Sequence, residues 1–197
     1  MLYTGKRKSH QAVQMLCEGG IMLAAAFVLS LLQFWKMYDG GGIDFGMLPI
    51  LLFAVRWGVG PGLVVGFADG VLQFMQAGGI AIGWQSIIGD YLVAFTVLGL
   101  AGLFRGWKHG IFIGTVVGCV ARFLVHYIVG ATIWAEYMPD LFFGLTMTSP
   151  WFYSLLYNGF YMAIDMVLCL VVFGLLSGPL GKYFRGEDIR PIKTRIR

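Results

Sequence analysis

About six stretches of this chain are apolar over nearly the length that a helix needs to cross a bilayer, and only short polar or glycine-rich breaks separate them. A hydrocarbon core of about 30 Å takes about 20 helical residues. Inside that core every backbone N–H and C=O must be paired within the protein, so only helices and closed barrels span it. The runs here are continuous rather than alternating in polarity, which argues against a barrel and leaves helices. Composition agrees: 58% of the 197 residues are hydrophobic, 12% are charged, and the mean hydropathy is +0.78. These are values of an integral membrane protein. The expected fold is an all-α membrane protein, with residues 1–197 forming one domain of six transmembrane helices in a single bundle.

The helices are expected at roughly 12–35, 46–56, 60–77, 86–104, 109–131 and 151–177. The second is short, with Pro49 marking a tilt or a break. A basic run, Lys6, Arg7 and Lys8, precedes the first helix. The apolar segment after it is too long for a signal peptide and offers no cleavage site, so it is expected to remain as a start-anchor. Lys6, Arg7, Lys8, Arg56, Arg105, Lys108, Lys182, Arg185, Arg190, Lys193, Arg195 and Arg197 fall on the side that holds both termini, which predicts that both termini are cytoplasmic. The opposite loops carry Asp39, Asp44, Glu136 and Asp140 against Lys36 alone. The pI near 9.0 is thereby explained by topology and needs no nucleic-acid partner. Cys17, Cys119 and Cys169 lie singly in predicted helices, without metal or disulfide spacing, and read as small buried apolar residues. The glycine clusters 40–42 and 58–62 read as turns.

Few polar residues fall inside the spans: Glu18, Asp69, Asp90, Arg122, His126, Asn158 and Asp165. Ionisable groups at such depth are costly unless paired or wet, and they are candidates for function or for structural ion pairs. At about 1.5 Å per residue, Asp90, His126 and Asn158 fall in the outer third of the membrane on three different helices, as a site for an external solute requires. Arg122 lies one turn deeper than His126, and Asp69 and Asp165 are deep as well. Arg122 is therefore expected to be structural, paired with Asp69, Asp165 or helix-end carbonyls. Gly130 adds a side-chain-free patch one turn above His126. Trp134, one turn further, either covers that patch or joins the interfacial aromatic belt with the other five tryptophans. Asn158 contacts either a ligand or a neighbouring helix, and Tyr153 belongs to ligand or belt. Asp90 accepts hydrogen bonds, His126 and Asn158 donate or accept, and Tyr91, Trp134 and Tyr153 offer flat faces. A flat, nitrogen-rich, cationic solute suits this set.

Several segments together resemble the thiamine-specific S component of the energy-coupling factor (ECF) transporters: EGGIMLAA at 18–25, FGMLPILLFAVRWG at 45–58, Asp90-Tyr91 followed by LGLAGLF at 98–104, His126 with Gly130 and Trp134, and YSLLYNG at 153–159. The resemblance implies a six-helix fold with a thiamine pocket on the extracellular side of the plasma membrane. It implies ligand contacts from Asp90, Tyr91, His126, Trp134, Tyr153 and Asn158, with Trp35 as a looser match. The family usually has glutamate at Asp90, one methylene longer, so the ligand must shift, a water must bridge, or affinity must differ. It also implies that Gly20 and Ala24 meet a shared transmembrane coupling subunit, which two ATPases drive; ordinary packing within the bundle is the other reading of these small residues. The chain has no Walker-type phosphate loop of its own. No cofactor and no catalysis are expected. A self-sufficient proton-coupled carrier using Asp69, Arg122 and Asp165 is the rival, as is an S component for another vitamin. An enzyme with Asp90 and His126 as acid and base lacks a nucleophile or metal set.

Overall fold

The computed structural model describes residues 2–37 and 40–189, with side chains from residue 10 onward. Lys6, Arg7, Lys8, Asp39, Arg190, Lys193, Arg195 and Arg197, which enter the charge argument above, lie outside the described side chains. Six helices occupy the described residues: α1 (Leu2–Leu31), α2 (Met47–Trp57), α3 (Val59–Gln76), α4 (Gly83–Phe104), α5 (Gly110–Thr132) and α6 (Pro150–Phe184). Four contain segments long and apolar enough to cross a membrane, namely His10–Leu31, Gly83–Phe104, Gly110–Thr132 and Pro150–Phe184. Two small hairpins sit in the loops: β1 (Trp35–Lys36) pairs with β2 (Gly42–Ile43), and β3 (Leu141–Phe142) with β4 (Leu145–Thr146).

Helix α2 is the hub. Nine of its residues are buried, from Met47 to Trp57, because it is apolar on every side and the other helices wrap it. Pro49 does not break it. The proline lies in the first turn, where its missing N–H is an orphan in any helix. A single residue, Gly58, joins α2 to α3, and its φ of 97° is accessible to glycine at little cost. The glycine cluster at 58–62 is therefore one turn residue followed by helix. Gly62, Gly66 and Gly70 form a stripe on α3, and a Cβ at Gly66 or Gly70 would fall 2.5 Å from the carbonyl oxygens of Phe95 and Tyr91. That stripe lets the α4 backbone lie directly against α3.

Helix α4 is not uniform. Gly83–Ser86 is α-helical, Ile87–Val93 widens into a π-helix, and Val97–Phe104 tightens into a 3-10 helix. Widened turns of this kind re-aim side chains and recur at functional sites. Helix α6 runs to Phe184, beyond the expected end near 177, with Pro179 inside it. Its Ser149 N-cap accepts a hydrogen bond from the Phe152 N–H at 3.2 Å.

One end of the bundle is tied by charge. Arg56, fully buried at the end of α2, makes a two-pronged bond to Glu18 of α1 (2.5 and 3.0 Å) and another to Asp188 beyond α6 (3.0 and 3.1 Å). It also donates to the Tyr183 carbonyl and lies over the Tyr183 ring. Gln11 of α1 donates to the Ile189 carbonyl nearby, so the start of α1 and the end of α6 share this face of the molecule. Exposure sorts the cysteines and tryptophans. Cys119 and Cys169 are buried as expected, whereas Cys17 is exposed on the outward face of α1. Trp57 is buried against Phe53 rather than in a belt, while Trp35, Trp84, Trp107 and Trp151 are 46–67% exposed.

Candidate functional site

The widened turn of α4, the C-terminal half of α5 and the N-terminal half of α6 converge on a cavity of about 180 Å³. Asp90 comes from the π-helical segment. Its Oδ2 accepts from Trp134 Nε1 and from Ser86 Oγ, both at 2.8 Å, and its Oδ1 lies 3.1 Å from His126 Nδ1. Arg122 donates to His126 Nε2 at 3.4 Å, so that nitrogen carries the lone pair and Nδ1 carries the proton that faces Asp90. Three residues 36 and 44 positions apart are thus joined in one constellation. The indole plane of Trp134 is held by its N–H and stands at the cavity wall. A carboxylate has about four acceptor sites and three are used, so Asp90 keeps one for a ligand.

Asn158 bonds between helices. Its Nδ2 donates to the His126 carbonyl (3.3 Å) and to Ser154 Oγ (3.0 Å), and its Oδ1 accepts from Tyr161 (3.0 Å). Both donors are committed, and Asn158 holds α6 against α5 at the cavity wall. Gly130 lines the cavity as well and also lets α6 approach: a Cβ there would meet Ser154 Oγ at 2.5 Å and Asn158 Nδ2 at 2.9 Å. The missing side chain makes room for α6. Tyr91, whose hydroxyl donates to the Ile80 carbonyl at 2.7 Å, lines the cavity, as does Tyr153, which begins a ladder with Tyr157 and Tyr161 at ring separations of 5.6 and 5.9 Å.

Two expectations fail. Trp35 does not line the cavity and is 61% exposed. Successive strand residues point to opposite sides, and in β1 it is Lys36 that faces inward. Arg122 makes no ion pair with Asp69 or Asp165 among the described residues; it lines the cavity, bonded to His126 and 4.0 Å above the Phe95 ring. Depth misleads here because the cavity is not shallow. On α6 it runs from Tyr153 to Asp165, about 18 Å at 1.5 Å per residue. Asp69 instead accepts from Gln73 at 3.2 Å on α3, and Asp165 accepts from the Asp44 N–H at 3.1 Å.

The cavity also takes in residues that the polar survey of the spans passed over: Asp44, Lys36, Gln33, Gln73 and Gln76. Asp44 is a loop residue, and burial raises its pKa above the usual carboxylate value; the Gly46 N–H, the Arg122 guanidinium and Gln33 pull it back in part. Its position facing the cavity follows from the β1–β2 hairpin, whose Gly40, Gly41 and Gly42 line the site. The Gly41 N–H donates to the Tyr157 hydroxyl at 3.2 Å. A glycine-rich loop gives no sequence signal for such a contact. The lining carboxylates Asp44, Asp90 and Asp165 outnumber the lining cations Lys36 and Arg122.

A family model described as Thiamine transporter protein (Thia_YuaJ) matches residues 16–184. The chain belongs to the thiamine transporter protein family. The matched span holds every residue of the Asp90, His126 and Trp134 constellation and both small residues of α1 singled out above. Among its relatives, the thiamine transporter ThiT of Bacillus subtilis (strain 168) is 32% identical over 184 residues, 86% of this chain and 92% of that one. The thiamine transporter ThiT of Lacticaseibacillus paracasei is 27% identical over 207 residues, 95% and 98% of the two chains. A solved structure of ThiT from Listeria monocytogenes shares the fold, with a TM-score of 0.75 at 22% identity over 88% of this chain and 98% of that one. Membership makes this a multi-pass membrane protein of transport rather than of catalysis.

Proposed function

We propose that the protein captures thiamine from the extracellular side in the cavity between α4, α5 and α6. The observation that carries this reading is the Asp90 carboxylate bonded at once to Trp134 (2.8 Å) and His126 (3.1 Å) at the wall of a cavity rich in tyrosine. A rigid indole face beside an excess of carboxylates suits a flat ring system with a fixed positive charge. The free acceptor site of Asp90 suits an amino group on the same ligand. Because Asp90 is short and already bonded three ways, His126 and Asn158 serve mainly to position it and Trp134, and the weak Arg122 bond to His126 Nε2 is the one that a ligand would displace.

The protein performs no ATP hydrolysis in this reading. It delivers its ligand as an S component, with both termini in the cytoplasm, to a transmembrane ECF coupling subunit driven by two ATPases. Gly20 and Ala24 lie exposed on α1, and a Cβ at Gly20 would have no heavy atom within 4 Å, which supports an outward contact rather than packing inside the bundle. Tryptophan fluorescence tests the ligand assignment. Thiamine quenches the wild-type signal, and among six single Trp→Phe variants Trp134→Phe alone loses most of that response. Equal quenching in all six would place the ligand elsewhere.

A further inference from the structure

Between α5 and α6 the chain makes a hairpin that carries no charge from Leu141 to Thr148, the sequence LFFGLTMT. Strands β3 and β4 pair Leu141 with Thr146 and Phe142 with Leu145, and the Met147 N–H closes the base on the Asp140 carbonyl at 2.9 Å. This pairing limits the backbone groups that lipid would leave without a partner. The two turn residues, Phe143 and Gly144, have φ of 50° and 77°. Such turns favour Asn, Asp or Gly at the first position, because a bulky side chain at positive φ is strained. A phenylalanine at the tip gains nothing from water, whereas apolar surroundings offset the strain. Phe142 turns to the protein, its ring 5.2 Å from that of Tyr153 and 5.9 Å from that of Tyr157, both of which line the thiamine cavity. Leu141, Phe143 and Leu145 are left 64, 59 and 49% exposed.

The depth of the hairpin follows from the helices on either side. Ser154 donates to the Tyr127 carbonyl and Asn158 to the His126 carbonyl, so α6 descends as α5 rises, and Pro150 stands level with the C-terminal end of α5 near Thr132. Helix α5 has 23 residues, about 34 Å, the length of one crossing. Phe160 lies about 15 Å along α6 from Pro150, and the Phe143 ring is 5.0 Å from the Phe160 ring. The tip therefore reaches about 10 Å below the ends of both helices, the depth at which interfacial elements bury their apolar faces. Phe160 shares a face of α6 with Val167 and Val171, all of them exposed, so the surface of the hairpin continues the lipid-facing side of that helix.

We propose that the 141–146 hairpin is embedded in the outer leaflet of the bilayer, with Leu141, Phe143 and Leu145 among acyl chains and Phe142 closing the tyrosine wall of the thiamine cavity from the lipid side. The choice of leaflet rests on the orientation in the proposed function; the insertion itself does not. Nitroxide labels placed singly at Leu141→Cys, Phe143→Cys and Leu145→Cys test it, in the full chain with Cys17→Ala, since Cys119 and Cys169 are buried. The labelled proteins are reconstituted in phosphatidylcholine nanodiscs, and collisions with oxygen are compared with collisions with a water-soluble nickel chelate. The label at Phe143→Cys meets oxygen and excludes the chelate, as a label at Val167→Cys on α6 does; a label at Glu136→Cys, exposed in the loop before the hairpin, shows the reverse order. Nanodiscs are open to water on both sides and the reading needs no ligand, so neither the orientation nor thiamine binding enters the result. A sharp melting transition checks that each variant is folded, and the three positions stand in for one another where one variant is not. Chelate collisions at the hairpin equal to those at Glu136→Cys would place it in water, and shielding from both reagents would mean that protein, such as a second copy of this chain, covers it; either result would overturn the proposal.

Discussion

At residue scale, two arginines exchange the roles that depth alone assigns. Arg122 looks structural from its depth on the helix, yet it faces the ligand cavity; Arg56 looks like one more basic residue of the inner loops, yet it is the fully buried knot between α1, α2 and the segment after α6. Removing one member of a buried ion pair costs about 3–5 kcal/mol, because the other charge is left uncompensated. Arg56→Ala is therefore expected to lower the melting temperature in detergent more than any cavity substitution, Arg122→Ala included. A smaller shift for Arg56→Ala than for Arg122→Ala would reverse the assignment. The same knot gives a pH signature. Burial raises the pKa of Asp188, but the hydrogen bonds and charge of Arg56 outweigh it and hold the carboxyl below its usual value of about 3.9. Its contribution is thus full above about pH 4 and is lost as pH falls through the lower folded value. The difference in melting temperature between wild type and Asp188→Asn should be constant near neutrality and shrink toward zero below about pH 4; a difference independent of pH would contradict it. In the cavity, Trp134→Phe removes both the bond to Asp90 and part of the aromatic wall, and calorimetry should register about a 10- to 100-fold weaker thiamine affinity, the scale of a buried hydrogen bond of about 1–3 kcal/mol.

At the scale of elements, what the sequence made legible follows from the solvent. Lipid leaves a spanning backbone no partner but itself, so the positions of the helices could be read from apolar length, and rise per residue put Asp90, His126 and Asn158 at a common level on three helices, where the structure brings them together. The conformation of α4 could not. Its π and 3-10 segments arise where its backbone meets the glycine stripe of α3, a tertiary contact between separate helices. Nor could the bond from Trp134 to Asp90, since an indole near a helix end is equally a belt residue until the fold supplies an acceptor 44 positions away. The expected end of the last helix near 177 fell short, since α6 passes through Pro179 and ends at Phe184. Helix α1 is the element whose meaning lies outside the bundle. Val13, Leu16, Ile21 and Val28 are exposed along the side that carries Gly20 and Ala24, while Ala26 and Ser30 turn inward. Bulky replacement of Gly20 or Ala24 should abolish thiamine uptake in cells and leave the affinity of the isolated protein unchanged. Parallel loss of uptake and affinity would mean that these residues pack the bundle.

At the scale of the whole molecule, charge divides the two ends. One end carries Arg56 at the end of α2, Arg105 and Lys108 between α4 and α5, and Lys182 and Arg185 at the end of α6; the other opens a cavity whose carboxylates exceed its cations. In the proposed orientation the basic end lies in the cytoplasm and the cavity with its excess of carboxylates opens to the outside, where it would attract a cation. The sequence carries no Walker-type phosphate loop, and in the proposed function this chain supplies selectivity while its partners supply the drive. Transport by the purified chain alone in proteoliposomes under a pH gradient would favour a self-sufficient carrier. The central claim is that this fold by itself binds thiamine, and isothermal titration of thiamine into the purified, ligand-free protein tests it most directly. The account predicts one saturable site per chain, weakened in Trp134→Phe; a folded protein with a sharp melting transition and no saturable heat of thiamine binding would contradict it.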